Sequence, residues 1–199
     1  KKKYSYFDVG VITTVSADNQ LEIERISDIV KEFHGEGEWM VNITRGKTRE
    51  MNAGIVNYIN YYKAQDIINS RIKDGSYKGH SGHLTAKWIS AKNSVRRDVI
   101  KKILEGDYKG GGCSAGSIGG VIYGDGSVYP CEMLDSSFGN LRDFNYDFAK
   151  LWNSERAVNI RNKIQETKCF CTQECFLSTN FLIQPGLWYK TLTKKLKHY

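Results

Sequence analysis

Five cysteines restrict what this chain can fold into more than any other residue class. Cys113 and Cys131 bracket a glycine-rich stretch, and Cys169, Cys171 and Cys175 crowd together further on. An odd number of thiols cannot all pair within one chain. The opening Lys1-Lys2-Lys3 leads into polar and aromatic residues instead of the apolar core of a secretory leader, so a disulfide framework is disfavoured. A length of 199 residues also allows a sizeable core without covalent staples. Thiolates are soft ligands, suited to tetrahedral zinc or to the irons of a cluster, and four of them complete either kind of site. Zinc usually shows compact Cys-x-x-Cys knuckles or a knuckle with paired histidines. Neither is present, since His34, His80, His83 and His198 lie outside the cysteine segments. Two distant single ligands and one tight group favour an object ligated from several directions, a cluster, with zinc as the alternative.

Local patterns fill in the surroundings. Gly110-Gly111-Gly112 before Cys113 leaves the backbone free to turn and to aim amide groups at cluster sulfurs. Residues 118–123 and 127–129 flank Gly124-Asp125-Gly126 and read as a β-hairpin that fixes Cys131 at its exit. Residues 143–167, with Phe148, Leu151, Trp152, Val158, Ile160 and Ile164, read as one amphipathic helix covering that hairpin. In the first hundred residues, the β-branched run 7–16 suits a buried parallel strand and 39–44 a second one. Between them a helix is expected, N-capped by Asp18 or Asn19, with Leu21, Ile23, Ile26, Ile29, Val30 and Phe33 on its apolar side and Gly35 and Gly37 ending it. Further helices are expected over about 53–73 and 85–104.

At the cysteines the sequence resembles the SPASM/twitch domain, the iron-sulfur extension of many radical S-adenosylmethionine (radical SAM) enzymes. The family opens with Cys, a spacer, Gly, four residues and Cys, as Cys113, Gly126 and Cys131 do here. Cys113-Ser114-Ala115-Gly116 resembles its Cys-x-Ala-Gly, and Asp125-Gly126-Ser127-Val128-Tyr129-Pro130-Cys131 its Asp-Gly-x-Val-x-Pro-Cys. Gly139-Asn140-Leu141 and Trp152-Asn153-Ser154 resemble two later landmarks. The complete family pattern continues with Cys-x2-Cys-x5-Cys-x3-Cys and one more cysteine, whereas this chain has Cys-x-Cys-x3-Cys and no cysteine after it. The resemblance therefore implies one auxiliary 4Fe-4S cluster rather than two. It favours Cys113, Cys131, Cys171 and Cys175 as metal ligands, with Cys169 replacing Cys171 or remaining a free thiol.

The residues before the cysteines extend the resemblance. Two strands with crossover helices cannot close a barrel or shield both edges of their sheet. The run from Val11 to Ser16 followed by Asn19 resembles the fifth strand and helix of a radical SAM partial (β/α)6 TIM-like barrel, with Val41 to Gly46 as the sixth. The expected fold class is α/β, the last strands and helices of such a barrel followed by a small α+β SPASM/twitch domain with a hairpin and helix. The expected division is residues 1–107 for barrel and linker helices and 108–199 for the iron-sulfur domain and tail. Ser16, Asn19 and Arg45 would then stand just past strand C-termini, on the SAM or substrate side, although capping accounts for Asn19 equally well. The Cys-x3-Cys-x2-Cys motif that binds the catalytic cluster in this superfamily does not occur in the sequence. The chain is accordingly expected to be the C-terminal part of a longer enzyme and inactive alone.

The resemblance implies SAM as cofactor of the whole enzyme and a reductant such as ferredoxin or flavodoxin as partner. Its substrate would be a peptide, a protein or a small molecule, modified by a radical reaction. The rival reading is a non-catalytic module that binds zinc or carries electrons through a single cluster. A net charge of +7 raises the question of nucleic acid. Lysines crowd the two ends, and interior basic residues mix with acids at helical spacing, which disfavours that partner. Arg45-Gly46-Lys47-Thr48 resembles the end of a phosphate-binding loop, but Val41 stands where its first glycine belongs. No apolar run approaches membrane-spanning length, and a cytoplasmic location is expected.

Overall fold

The structure is a computed structural model, and it describes residues 10–34, 38–76 and 86–197. Two compact units divide the chain, Lys1–Ala91 and Lys92–Tyr199. In the first, strands β1 (Gly10–Val15) and β2 (Glu38–Ile43) pair in parallel, with Gly10 opposite Glu38 and Val15 opposite Ile43. Parallel strands need a crossover, which helix α1 (Ile23–His34) provides. Helix α2 (Tyr58–Lys73) packs on both α1 and β2. Val15, Trp39, Val41 and Ile43 from the strands, Ile23 and Val30 from α1, and Tyr61, Ala64 and Ile68 from α2 are buried. Polar side chains tie the layers together. Gln65 Nε2 donates to the Val41 carbonyl at 3.1 Å, and Arg71 donates to the Ser27 carbonyl at 2.7 Å and to Asp28 at 2.9 Å.

Three expectations for this unit need correction. The run around β1 is not buried on both faces: Val15 is fully buried, but Ile12, on the other face, is 57% exposed. The apolar stripe of α1 is also narrower than its sequence suggests. The helix starts at Ile23, so Ile23, Ser27 and Val30 fall on the inner face while Leu21, Ile29 and Phe33 are exposed. Nor does Asn19 cap α1. Its Oδ1 accepts from the Ser16 N–H at 2.9 Å and its Nδ2 donates to the Thr14 carbonyl at 3.0 Å, which closes the turn leaving β1. The predicted helix end at Gly35 and Gly37, the strand start at Phe7 and the helix start at Thr85 lie outside the described residues.

Helix α3 (Ala86–Leu104) starts in the first unit and runs mostly in the second, where Val95, Val99 and Ile100 are buried. Strands β3 (Val121–Ile122), β4 (Ser127–Tyr129) and β5 (Gly139–Asn140) form an antiparallel sheet in that order. The β3–β4 hairpin has a three-residue loop, with Tyr123 N–H on the Ser127 carbonyl and Gly126 N–H on the Tyr123 carbonyl. Gly126 takes φ of +87°, and an added Cβ would meet Asn140 Oδ1 at 2.8 Å, so the Asp-Gly turn needs this glycine for both conformation and space.

The single helix read over 143–167 is instead three pieces. A 3-10 turn (Leu141–Phe144) is followed by α4 (Phe148–Trp152) and α5 (Glu155–Glu166). Asn145 and Tyr146, at φ of 52° and 63°, stop the 3-10 turn. Asp147 then caps α4 and Ser154 caps α5, each side chain accepting from a backbone N–H inside its helix. These pieces do cover the hairpin, because Val128 of β4 shares a buried core with Phe138, Leu151 and Ala157. Two helices close the unit, α6 (Glu174–Ile183) and α7 (Pro185–Lys197), the latter with proline at its first position.

Candidate metal centre

Cys169 is placed by the way α5 ends. Lys168 adopts φ of 49°, its N–H bonds the Gln165 carbonyl at 3.0 Å, and the N–H of Cys169 bonds the Ile164 carbonyl at 3.1 Å. This pair of bonds is the Schellman arrangement, in which the second residue past the cap folds back onto the last turn. Cys169 accordingly packs against a buried core made of Cys113, Ala115, Cys131 and Ile164. Three of the five thiols thus line one small region. None of the five is in a disulfide.

The segment carrying Cys113 is clamped by amide side chains from two helices. Gln165 of α5 donates to the Cys113 carbonyl at 2.8 Å. Gln184, just past α6, donates to the Gly112 carbonyl at 2.9 Å, and Asn180 of α6 accepts from the buried Ser114 N–H at 2.8 Å. Downstream, Gly116 turns at φ of +73°, and a Cβ there would meet Phe138 Cζ at 2.8 Å and Pro130 Cβ at 2.9 Å. Arg161 lies over the rings of Phe138 and Trp152 and donates to the Trp152 carbonyl at 2.9 Å, which holds α4 against α5 below this turn. Helix α6 is itself anchored to α3 by Arg96, which pairs with Glu174 at 3.2 Å and donates to Ser178 at 3.2 Å.

Cys131 follows β4 and is buried. Next to it, Glu132 accepts a hydrogen bond from the Gln173 side chain, tying this segment to the loop that carries Cys171. Backbone amides two residues on donate to two of the sulfurs, Ala115 N–H to Cys113 Sγ and Gln173 N–H to Cys171 Sγ, both at 3.4 Å. Cys175 sits in the first turn of α6 and is exposed. Burial, followed by the neighbouring Cys113, Cys171 and Cys131, pushes the Cys169 thiol up to about 11. Burial likewise raises Cys113, against the opposing Ala115 amide. Both thiols hold their protons at neutral pH and must release them to bind metal. As they stand, no three His, Cys, Asp or Glu side chains among the described residues converge on a single-ion site.

Residues 113–176 match the family model of the SPASM iron-sulfur cluster-binding domain. This segment is a SPASM domain. The match opens on Cys113 and closes one residue after Cys175, so it spans all five thiols. No curated protein and no solved structure matches the chain. SPASM domains bind iron-sulfur clusters and are typical of radical SAM enzymes.

Within the SPASM domain, the Gly-Asn-Leu landmark has a visible task. Asn140 donates to the Asp125 carbonyl at 2.9 Å and accepts from the Arg142 N–H at 3.0 Å, locking the turn before Cys131. Asn180 and Gln184 lie beyond the matched residues and carry no sequence signal of their task, although their amides hold the Cys113 loop. In the first unit, Ser16 and Arg45 follow strands whose C-terminal ends are level, since Thr44 N–H bonds the Val15 carbonyl at 2.9 Å. Arg45 is half-buried, and Asn19 is engaged in the turn described above. No helix among the described residues is long and apolar enough to cross a membrane.

Proposed function

We propose that this chain is the C-terminal part of a radical SAM enzyme and that its SPASM domain holds one auxiliary 4Fe-4S cluster. The observation that carries the reading is the packing of the half-buried Cys169 against the buried core that holds Cys113 and Cys131, inside the matched segment. The surroundings fit a cluster. The donor set is all thiol, two of the sulfurs already accept amide N–H groups, and the buried Ser114 hydroxyl has no hydrogen-bond partner among the described residues. An orphaned buried hydroxyl costs about 1–3 kcal/mol, a cost that a sulfur acceptor would offset. Amide donors at the thiolates stabilise negative charge and tune reduction potential.

A bound auxiliary cluster of this kind would supply electron transfer. The chain's own residues hold the Cys113 segment through the Gln165, Asn180 and Gln184 clamps, and they keep Cys113 and Cys131 buried. In the first unit, the parallel pair β1–β2 with its α1 crossover is consistent with late strands of a partial (β/α)6 barrel. On that reading Arg45, just past β2, faces SAM or a substrate carboxylate, and Ser16 shares its end of the sheet. Asn19 shapes the turn. A peptide, protein or small molecule is the substrate class, with a ferredoxin or flavodoxin as reductant in the cytoplasm.

The catalytic Cys-x3-Cys-x2-Cys motif is absent from this sequence, and four protein thiolates leave an auxiliary cluster no open iron for SAM. The chain reconstituted anaerobically with iron and sulfide should therefore be brown, yet form no 5'-deoxyadenosine when given dithionite and SAM. Formation of 5'-deoxyadenosine above a cluster-free control would place a catalytic centre within these residues and overturn the division of labour.

A further inference from the structure

We infer that Cys169 is a cluster ligand together with Cys113 and Cys131, the fourth place falling to Cys171 or Cys175. The inference rests on the cluster reading above and deepens it, because the sequence pattern gives Cys169 no counterpart in the Cys-x3-Cys step. Three observations argue for it. The Schellman bonds to Gln165 and Ile164 fix Cys169 at the end of α5, so its position is set by a helix terminus and not by a free loop. The same last turn of α5 reaches Cys113 directly, through the 2.8 Å bond from Gln165 to the Cys113 carbonyl. Cys169 packs on the core that contains both Cys113 and Cys131, whereas Cys175 is exposed on α6.

The competing explanation is purely structural. A Schellman motif often sets an apolar side chain at this position against the third-last helical residue, here Ile164, and a thiol is apolar enough for that contact. Valine serves the contact equally well but cannot ligate iron, so Cys169→Val separates the two roles. The full chain, Cys169→Val and Cys113→Ala should be reconstituted anaerobically in parallel. Iron, sulfide and the EPR signal of the dithionite-reduced protein are then measured, with far-UV circular dichroism of each metal-free protein as the check on folding. Cys169→Val should keep the circular dichroism of the parent and lose its iron and EPR signal as completely as Cys113→Ala does. Parental iron content and an unchanged EPR spectrum in Cys169→Val would overturn the assignment and leave the cluster reading standing. Failure of the parent chain itself to bind iron would overturn both.

A second measurement needs no variant. Iodoacetamide labelling at mildly alkaline pH, for a time at which the metal-free protein labels at Cys169, followed by peptide mass spectrometry, should leave Cys169 unlabelled in the loaded parent. Labelling of Cys169 to the same extent in both forms contradicts ligation.

Discussion

In the first unit the fold is carried by a ladder of strand hydrogen bonds and by side chains such as Val15, Val41, Ile43, Ile23 and Ile68, buried between one sheet and two helices. In the second, the strands are two or three residues long, and two of the buried core side chains are thiols. There the backbone is pinned by single polar groups, namely Gln165, Asn180, Gln184, Asn140, Asp147 and Ser154. The contrast separates two ways of building order. Regular elements distribute stability over many interchangeable apolar contacts, while a ligand site fixes a few atoms through directional bonds whose loss is felt one at a time.

Cutting an apolar side chain in the first unit should have the largest effect. Ile43→Ala should destabilise that unit by about 4 kcal/mol, read from hydrogen exchange of the β1 and β2 amides, with iron uptake by the SPASM domain unchanged. Loss of iron binding in this variant would show that the two regions do not keep their order separately. In the second unit, Gly116→Ala combines a left-handed conformation with contacts below 3 Å to Phe138 and Pro130. A cost of about 3 kcal/mol is expected in urea unfolding. A result no larger than that of the exposed neighbour Ser117→Ala would mean that this turn is not held as rigidly as described.

Asn180→Ala leaves the buried Ser114 N–H without its acceptor and should cost about 2 kcal/mol. It should also shift the midpoint potential of the loaded protein, because the Cys113 segment moves relative to α6. An unchanged potential would reduce Asn180 to a stabilising contact.

The smallest effect concerns pH. Cys169 and Cys113 have raised values in the fold, so the protonated thiols favour the folded metal-free state. That contribution is complete below the ordinary value of 9.0 and is lost as pH rises toward about 11. The metal-free second unit should weaken across that window, and less so in Cys169→Val. Equal weakening in both proteins would assign the drop to other groups.

How much of this was legible in the sequence depends on the range of each signal. The Asp125-Gly126 hairpin and the two parallel strands were readable because turn chemistry and β-branched runs act over a few neighbours. The breaks at Asp147 and Ser154 were also written locally, as capping residues, but a continuous apolar period masked them. The clamps on Cys113 were beyond reach. Asn180, Gln184 and Gln165 act across 66, 72 and 52 residues respectively, and an amide side chain carries no sign of the carbonyl or N–H it will meet. Cys169 was ambiguous for a related reason, since its place depends on Lys168 taking a left-handed conformation that a lysine does not announce.

The central prediction is that the thiols of residues 113–176 hold an iron-sulfur cluster. Mössbauer spectroscopy of the full chain, reconstituted anaerobically with 57Fe and sulfide and then challenged with equimolar zinc, tests it most directly. The predicted result is the spectrum of a diamagnetic 4Fe-4S cluster, retained after the zinc challenge and absent from Cys131→Ala. A colourless protein carrying stoichiometric zinc, with iron only in adventitious mononuclear form, would contradict it.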